Sequence, residues 1–305
     1  QKTTAKIKER LEVGAQAQAA QTKVNIKKET VEDIVLRHSK RGMTILRKYM
    51  GDFYCKRAAE KILELPKGNI FLTTGFYVAG HAETDGPLGT MTLAKALRAV
   101  GYRPIIVTDK YCRGFFELED LDVEYAHICD GVEQYTEVLE DYDPVALISI
   151  ERCGKNIEDD YANMRGVSIK KNTAKADILF DLAKKRGIPT FGVGDGGNEI
   201  GMGNLKEVIV DKLALVPCKV EVDNLIIATV SNWGAYALAA YIQKIEKIQV
   251  LPTYKEIKSY LQAIVDLGSI DGVTKEQVLS VDGFPLTVEK EILDELHRAV
   301  GTGIF

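Results

Sequence analysis

The run Val145-Ala146-Leu147-Ile148-Ser149-Ile150, followed at once by Glu151 and Arg152, decides the fold of this chain. The run is almost wholly apolar, which is typical of a strand buried on both faces and not of a half-exposed strand. A strand of this kind needs a covering layer above and below it. The run therefore predicts a parallel sheet that is covered on both faces.

Similar short runs recur along the chain and alternate with helix-forming stretches. Further strands are predicted over residues 70–72, 105–107, 123–128, 190–193 and 225–230. Helices are predicted over residues 88–100, 111–118, 132–140, 174–186, 233–245, 254–267 and 288–300, with an Asp282-Gly283-Phe284-Pro285 turn before the last of them. This alternation predicts an α/β fold, a doubly wound and mostly parallel sheet with helices on both faces.

The chain before the first strand has a different character. Residues 3–20 are rich in Ala, Lys, Glu and Gln, and two shorter helices are predicted from residue 29 and over 52–65. We therefore expect an N-terminal helical extension over residues 1–68 and an α/β domain over residues 69–305. The extension is interpreted as a cap or an oligomerisation arm, which makes a homo-oligomer an expectation.

Composition excludes several classes of protein. The 305 residues carry 40 Lys and Arg against 44 Asp and Glu, a net charge of −4, so no nucleic-acid partner is expected. No apolar run reaches the roughly 20 residues that cross a bilayer, so no membrane partner is expected either. Five scattered cysteines and four dispersed histidines fit neither a disulfide scaffold nor a zinc-protease motif. A cytoplasmic location is the expectation, since an odd number of scattered cysteines suits a reducing compartment.

Polar or glycine-bearing segments follow five of the predicted strands. They are Thr73-Thr74-Gly75-Phe76, Thr108-Asp109, Glu151-Arg152-Cys153-Gly154, Gly194-Asp195-Gly196-Gly197-Asn198-Glu199 and Ser231-Asn232-Trp233-Gly234. Ligands of open parallel sheets bind beyond the carboxyl ends of the strands. The sequence therefore predicts one site at this edge of the sheet.

The densest of these segments runs from Gly192 to Gly203, and six of its twelve residues are glycine. Such backbone can approach a ligand closely, and its free N–H groups can hold an anion. A tight connection between a strand and a helix is the alternative. The acidic and amide side chains inside the segment favour a site.

Each of the other candidate site residues could instead have a purely structural role. Glu83 and Asp85 precede a helix, so they serve either a site or helix capping. Glu151 and Arg152 should point to opposite faces of the strand, one toward the ligand and one toward the framework. Arg165, which would share a helix face with Tyr161, could hold a carboxylate or phosphate, or form a salt bridge.

The segment around the single tryptophan leaves the same choice open. Ser231 could be an N-cap and Trp233 a core residue. For Asn232 a ligand role is slightly favoured. The candidate residues for binding a small anionic metabolite are Thr74, Gly75, Arg165, Gly196, Gly197, Asn198, Ser231 and Asn232.

Carboxylates dominate the predicted edge. They are Glu83, Asp85, Asp109, Glu151, Asp195 and Glu199. Crowded carboxylates repel one another unless a cation neutralises them, and oxygen ligands without His or Cys suit Mg²⁺ or Mn²⁺. We therefore expect a divalent metal ion held by some of Glu83, Asp85, Asp195 and Glu199. The catalytic candidates are Glu151, as general base, with Asp195 and Glu199.

The motifs taken together resemble the D-glutamate cyclase C-terminal-like family. They are Thr73-Thr-Gly-Phe, Glu83-Thr-Asp-Gly-Pro87, Glu151-Arg, Tyr161-x-Asn-x-Arg165, the glycine-rich segment and Ser231-Asn-Trp-Gly-x-Tyr-Ala-Leu238. The resemblance implies a lyase that interconverts D-glutamate and 5-oxo-D-proline plus water. Some members of similar length have been regarded as metal-dependent phosphatases, so phosphatase activity on a small phosphorylated metabolite is an alternative. A non-catalytic sensor of a small anion, which needs the glycine loop and Arg165 but not the acids, is a third hypothesis.

Overall fold

A computed structural model describes residues 28–301 of the chain. Its strands are β1 (Asn69–Thr73), β2 (Tyr77–Val78), β3 (His81–Ala82), β4 (Arg103–Thr108), β5 (Asp122–Tyr125), β6 (Ala146–Ile150), β7 (Thr190–Gly194), β8 (Asn224–Ile227), β9 (Ser280–Val281) and β10 (Phe284–Pro285). Its α-helices are α1 (Val31–Val35), α2 (Met43–Leu46), α3 (Tyr54–Leu63), α4 (Pro87–Ala99), α5 (Val132–Tyr142), α6 (Asp177–Arg186), α7 (Lys206–Lys212), α8 (Ser231–Glu246), α9 (Tyr254–Asp266) and α10 (Leu286–Val300).

The six longer strands form one parallel sheet in the order β5-β4-β1-β6-β7-β8. Leu72 of β1 lies between Ile106 of β4 and Ile148 of β6, so the centre of the sheet is apolar. The chain builds outward from β1 on one side and then returns to build outward from β6 on the other. The expected doubly wound α/β fold is confirmed, and its switch point lies between β1 and β6.

Helix α8 is the central covering element, and its residues from Ser231 to Gln243 are all buried. It lies close to α4, because a Cβ added to Gly89 would come 2.8 Å from Ala235 Cβ. It lies equally close to β7, where a Cβ added to Gly234 would come 2.6 Å from Val193. The lack of side chains at these two positions therefore brings the N-terminal ends of α4 and α8 together beside the sheet.

The helices before the sheet share the same hydrophobic core as the sheet. Glu32 of α1 is buried and accepts hydrogen bonds from the backbone N–H groups of Cys55 and Lys56 at 3.1 and 3.2 Å. Tyr241 of α8 donates to its other oxygen at 2.8 Å. One carboxylate thus joins α1, α3 and α8. The helix predicted over residues 3–20 lies outside the described residues, and the boundary at residue 68 stays a prediction.

The helix predicted over residues 111–118 is wrong. Two short 3₁₀ turns, Lys110–Cys112 and Glu117–Glu119, stand there instead. Gly114 between them has a φ of +85°, which no right-handed helix contains. The Asp109 carboxylate accepts from the N–H of Tyr111 at 3.1 Å and starts the first turn.

Across residues 28–301 we find no helix with the length and apolar character that a bilayer crossing requires.

Candidate active site

Six buried carboxyl groups surround the switch point of the sheet. They are Glu83, Asp85, Glu151, Asp195, Glu199 and Asp282. They come from the loop before α4, from the ends of β6 and β7, and from the β9–β10 turn. The strand ends bring together five of the six acids expected at this edge. Asp282 takes the place that the sequence analysis gave to Asp109.

Asp85 caps helix α8 rather than α4. Its two carboxylate oxygens accept from the backbone N–H groups of Ser231 at 3.1 Å and Asn232 at 2.8 Å. The Asn232 side chain in turn accepts from the N–H groups of Gly86 and Gly89, both at 2.8 Å. The acidic loop and the two helix ends are thus locked together. Burial, with the nearby Asp282 carboxylate, raises the pKa of Asp85 to about 7.

Glu151 occupies a left-handed backbone conformation, with a φ of +49°, directly after β6. Few non-glycine residues adopt this conformation, and those that do are frequent at functional sites. The Ser231 hydroxyl donates to Glu151 Oε2. Burial and the neighbouring carboxylates of Glu199 and Asp85 raise the pKa of Glu151 well above its usual value. Glu151 is therefore a carboxyl group that retains its proton readily.

Thr74 borders the same space. A Cβ added to Gly86 would lie 2.6 Å from Thr74 Oγ1 and 3.1 Å from Glu151 Cβ, so the glycine lets the two residues approach. Thr74 Oγ1 is buried and has no hydrogen-bond partner among residues 28–301. It is a donor that a ligand in the site could use.

The glycine-rich loop holds an anion that belongs to the protein itself. The Glu199 carboxylate accepts from the N–H groups of Asp195, Gly196 and Gly197 at 2.9, 2.7 and 2.7 Å. These N–H groups, which we expected to bind a ligand anion, are therefore already bonded. The loop is a strand-to-helix connection closed by Glu199, and what it presents to the site is Asp195.

Asp195 has one carboxylate oxygen with unused hydrogen-bonding capacity. Its Oδ2 accepts from Arg41 and from the N–H of Ser231, both at 3.3 Å. Its Oδ1 is fully buried and has no hydrogen-bond partner within the described part of the chain. Burial raises the pKa of Asp195, and the Arg41 charge opposes that effect.

Asp282 and Arg41 are the two site residues that the sequence analysis missed. Asp282 and Gly283 form the two-residue turn between β9 and β10, with φ angles of +52° and +76°. The buried Asp271 fixes this turn by accepting from the Gly283 N–H at 2.8 Å. Arg41, from the connection between α1 and α2, forms ion pairs with both Asp282 and Asp195. An Asp-Gly pair signals a hairpin, but no local pattern tells which carboxylates it will meet.

Asp109 lies apart from these acids. It forms a buried ion pair with Arg152 at 2.8 Å. Arg152 also donates to the carbonyl oxygens of Gly75 and Ala174 at 2.7 and 2.8 Å. Glu151 faces the acids and Arg152 supports the framework, so the two side chains point in different directions as expected. The ligand role of Glu151 stays a prediction. The sequence does not show which acid Arg152 pairs with. An arginine near a strand end can form an ion pair with any acid that follows a neighbouring strand, and here that acid is Asp109.

Arg165 forms no ion pair with the six buried acids within residues 28–301. Residues 161–165 are not helical, and Arg165 is an exposed residue in a turn. The Asn163 side chain accepts from the N–H groups of Arg165 and Val167, both at 3.0 Å, and so stabilises that turn. Asn198 likewise has a framework contact, donating to the Ala162 carbonyl at 3.0 Å. In a short polar segment, an Asn side chain can accept hydrogen bonds from nearby backbone N–H groups and form a turn. Residue spacing alone does not distinguish such a turn from one turn of a helix.

The acids form two overlapping groups with the spacing of metal ligands. Asp85, Asp195 and Asp282 make one, and Glu151, Asp195 and Glu199 make the other, with the ligand oxygens of each group within 4.8 Å of one another. Both are purely oxygen donor sets, as Mg²⁺ and Mn²⁺ prefer. The first group fits a cation better, because Glu199 of the second group is already bonded to three N–H groups. Glu83 is buried beside them, and burial with Asp282 and Asp85 raises its pKa.

A protein-family model matches most of the chain. The family described as D-glutamate cyclase-like, C-terminal, matches residues 31–297. The human protein named D-glutamate cyclase, mitochondrial, is 33% identical over 201 residues, which are 56% of this chain and 32% of the human protein. The chain therefore spans about a third of the length of that relative.

Solved structures give only distant likenesses. The Bordetella bronchiseptica enzyme WbmG, in complex with NAD and UDP, is 14% identical with a TM-score of 0.29, over 58% of this chain and 50% of that one. The UDP-GlcNAc 2-epimerase of Methanocaldococcus jannaschii is 13% identical with a TM-score of 0.32, over 68% and 54%.

Proposed function

Because the chain belongs to the D-glutamate cyclase-like C-terminal family, we propose that it interconverts D-glutamate and 5-oxo-D-proline plus water with the help of a divalent metal ion. One observation carries the proposal: six buried carboxyl groups lie together at one edge of the sheet. One of their oxygens, the buried Asp195 Oδ1, has no hydrogen-bond partner in residues 28–301. Crowded carboxylates of this kind favour binding of a cation, and the raised carboxyl pKa values suit proton transfer.

The reaction joins the amine nitrogen of D-glutamate to its own γ-carboxyl carbon. A C–N bond forms, a C–O bond breaks, and the departing oxygen leaves as water with two protons from the ammonium group. A carboxylate is a poor electrophile, so its charge must be neutralised and its leaving oxygen protonated. Asp85, Asp195 and Asp282 would hold the metal ion, which as a Lewis acid supplies that neutralisation.

Glu151 is assigned the proton transfers. Ser231 donates to its Oε2, so Oε1 is the oxygen that can carry a proton. With its pKa raised, Glu151 can take a proton from the substrate ammonium group and give it to the departing oxygen. Thr74 Oγ1, without a partner in the described structure, is placed to bind a substrate oxygen. Glu199 acts indirectly, by fixing the loop that carries Asp195.

The two alternatives have less support. A phosphatase needs donors for the phosphate oxygens, but three N–H groups of the glycine-rich loop are bonded to Glu199. A sensor built from that loop and Arg165 meets the same objection, and Arg165 is exposed. Both hypotheses remain outcomes of the experiment below.

The test assays the purified chain with Mn²⁺ or Mg²⁺ against D-glutamate, 5-oxo-D-proline and a panel of phosphomonoesters. We expect metal-dependent interconversion of the first two compounds and no phosphate release. Asp195→Asn should lower turnover at least about 100-fold, since it removes a charge from the reacting site. The exposed Asp211→Asn is the matched control and should keep full activity. Phosphate release would favour the phosphatase, and ligand binding that survives Asp195→Asn without any turnover would favour the sensor.

A further inference from the structure

Arg41 lies where a cation is needed. Its guanidinium Nη2 is 3.3 Å from Asp195 Oδ2 and forms a second ion pair with Asp282. Within residues 28–301 it is the one basic side chain that forms ion pairs with the acidic cluster. Both carboxylates are almost fully buried, whereas the Arg41 side chain is 27% exposed. The arginine thus reaches into the site from its rim.

The same two carboxylates belong to the metal-ligand group that also contains Asp85. A divalent ion would lie about 2.1 Å from its carboxylate oxygens if it were Mg²⁺. A guanidinium in hydrogen-bond contact with those oxygens would then stand next to a second positive charge. The two cations would repel each other, so the site favours one or the other.

We propose that Arg41 takes the place of the divalent ion in the metal-free protein and turns to the α-carboxylate of the substrate when the ion binds. The first half needs only the site geometry, whereas the second half rests on the proposed function. Arg41 would thereby be both a competitor for the metal and a substrate-binding residue.

Arg41 lies on irregular backbone at the rim of the site, where the proposed movement needs no change in a helix or strand. It belongs to the non-helical connection between α1 and α2, and Gly42 after it has a φ of +85°. Its neighbour Lys40 lies 4.4 Å from the centre of the Phe284 ring, so the connection can stay anchored while the guanidinium turns. D-Glutamate and 5-oxo-D-proline both keep an α-carboxylate throughout the reaction. Arginine can bind such a group with two parallel hydrogen bonds.

Titration calorimetry with Mn²⁺ alone tests the first half. Arg41→Ala and Arg41→Gln should bind Mn²⁺ about tenfold more tightly than the wild type, because a competing cation is gone; a tenfold change in Kd corresponds to about 1.4 kcal/mol. Lys48→Ala removes an exposed positive charge of the same region that forms no ion pair within residues 28–301. It is the matched control and should change the affinity less than about threefold by charge effects alone. Unchanged or weaker Mn²⁺ binding by both Arg41 variants would overturn the proposal.

Steady-state kinetics at saturating Mn²⁺ test the second half. Both Arg41 variants should raise KM for D-glutamate at least about tenfold, as expected for the loss of a charge-assisted hydrogen bond, while Lys48→Ala keeps KM. An unchanged KM in the Arg41 variants would overturn this half. Wild-type protein that binds Mn²⁺ but turns over neither compound would overturn the proposed function, and the calorimetric comparison would still decide the first half. Circular dichroism of each metal-free variant checks that it is folded, and Arg41→Gln, which keeps the length of the side chain, carries the test if the alanine variant unfolds.

Discussion

Asp109 and Asp195 show how identical carboxylates at strand ends acquire different roles. Asp109 faces Arg152 at 2.8 Å, and the pair is buried with its charges matched. Asp195 faces other carboxyl groups and one partly exposed arginine, and one of its oxygens has no partner in the described residues. The first environment favours an ion pair in the framework, and the second favours binding of a cation.

The two environments predict opposite effects of one substitution. Asp109→Asn leaves Arg152 buried without its counter-charge and should lower the free energy of unfolding by about 3–5 kcal/mol. Asp282→Asn should cost little stability but weaken Mn²⁺ binding at least about tenfold, because it removes one of three charged ligands. Urea unfolding and calorimetry on the same samples measure both quantities. Equal loss of stability in the two variants would contradict this assignment.

Glu289 gives a pH-dependent prediction at a position outside the acidic cluster. Its carboxyl group is buried and accepts from Trp233 Nε1 at 2.9 Å and Tyr236 OH at 2.7 Å. Burial raises its pKa above the usual value of 4.5 despite these donors. A raised pKa in the folded state means stability that is present at low pH and lost as the pH rises through that pKa.

Glu289→Gln removes this titration. The wild type should therefore be more stable relative to the variant at pH 4.5 than at pH 8, by about 1.4 kcal/mol for each unit of pKa shift. Urea unfolding of both proteins across this range measures the difference. A stability difference that grows with pH would mean that the folded state lowers the pKa of Glu289.

The sequence predicted the residues that the sheet itself positions. Glu151, Asp195 and Ser231 follow buried strands, and the rule that such ends meet at one edge brought them together. Arg41 and Asp282 follow no strand of the main sheet and meet across 241 residues of sequence. Their pairing depends on where α1, α2 and a short hairpin pack, which local patterns do not specify.

At the scale of elements, the close contact between α4 and α8 holds the loop that carries Asp85 against the start of α8. Gly89 leaves no room for a side chain, because a Cβ there would lie 2.8 Å from both Asn232 Cα and Ala235 Cβ. Asn232 is also the residue whose side chain binds the backbone ahead of and within α4. Helix packing and site geometry therefore depend on the same contact.

Gly89→Ala should widen this contact. Overpacking costs about 1–3 kcal/mol, and the better helix propensity of alanine returns up to about 1 kcal/mol. We expect a net loss of stability of about 1–2 kcal/mol and weaker Mn²⁺ binding, because α8 carries the N–H groups that hold Asp85. Gly131→Ala is the matched control, since its added Cβ would meet only Gln134 Oε1 at 3.8 Å. Thermal unfolding and calorimetry that found the two variants alike would disprove the close-packing role.

The composition of the glycine-rich loop predicts that it binds an anion, but not which anion. Its density of glycine correctly predicted backbone N–H groups gathered around an anion. The anion is the Glu199 side chain, which returns to the first residues of its own loop. Whether such a loop binds itself or a ligand depends on one side-chain conformation. The glycine pattern is the same in both cases.

For the molecule as a whole, the near balance of 40 basic and 44 acidic residues conceals an uneven distribution. Six acids lie buried in one place, where one arginine forms ion pairs with them within residues 28–301. Carboxyl groups held in this way oppose folding when they are ionised. The site therefore lowers the stability of the metal-free protein.

This uneven charge predicts a stability that depends jointly on pH and metal. Because the pKa of Asp85 is raised to about 7, the metal-free protein should become less stable as the pH rises from 6 to 8. Mn²⁺ must displace protons below that pKa, so its affinity should increase over the same range. At a fixed concentration of 100 times its Kd at pH 8, Mn²⁺ should stabilise the fold by about 2.7 kcal/mol at pH 8 and by less at pH 6. Thermal unfolding with and without Mn²⁺ at both pH values measures this, and a larger Mn²⁺ effect at pH 6 would contradict it.

The ion pair between Arg41 and Asp282 has a consequence for how the protein is made. Its two residues are separated by 241 positions, and every strand of the main sheet lies between them. A ribosome therefore produces the complete sheet before it produces the last acid of the site. Contacts of such long sequence range form late in folding. A nascent chain can thus fold its sheet while the pocket is still open on one side, and the pocket closes only when the β9–β10 hairpin arrives.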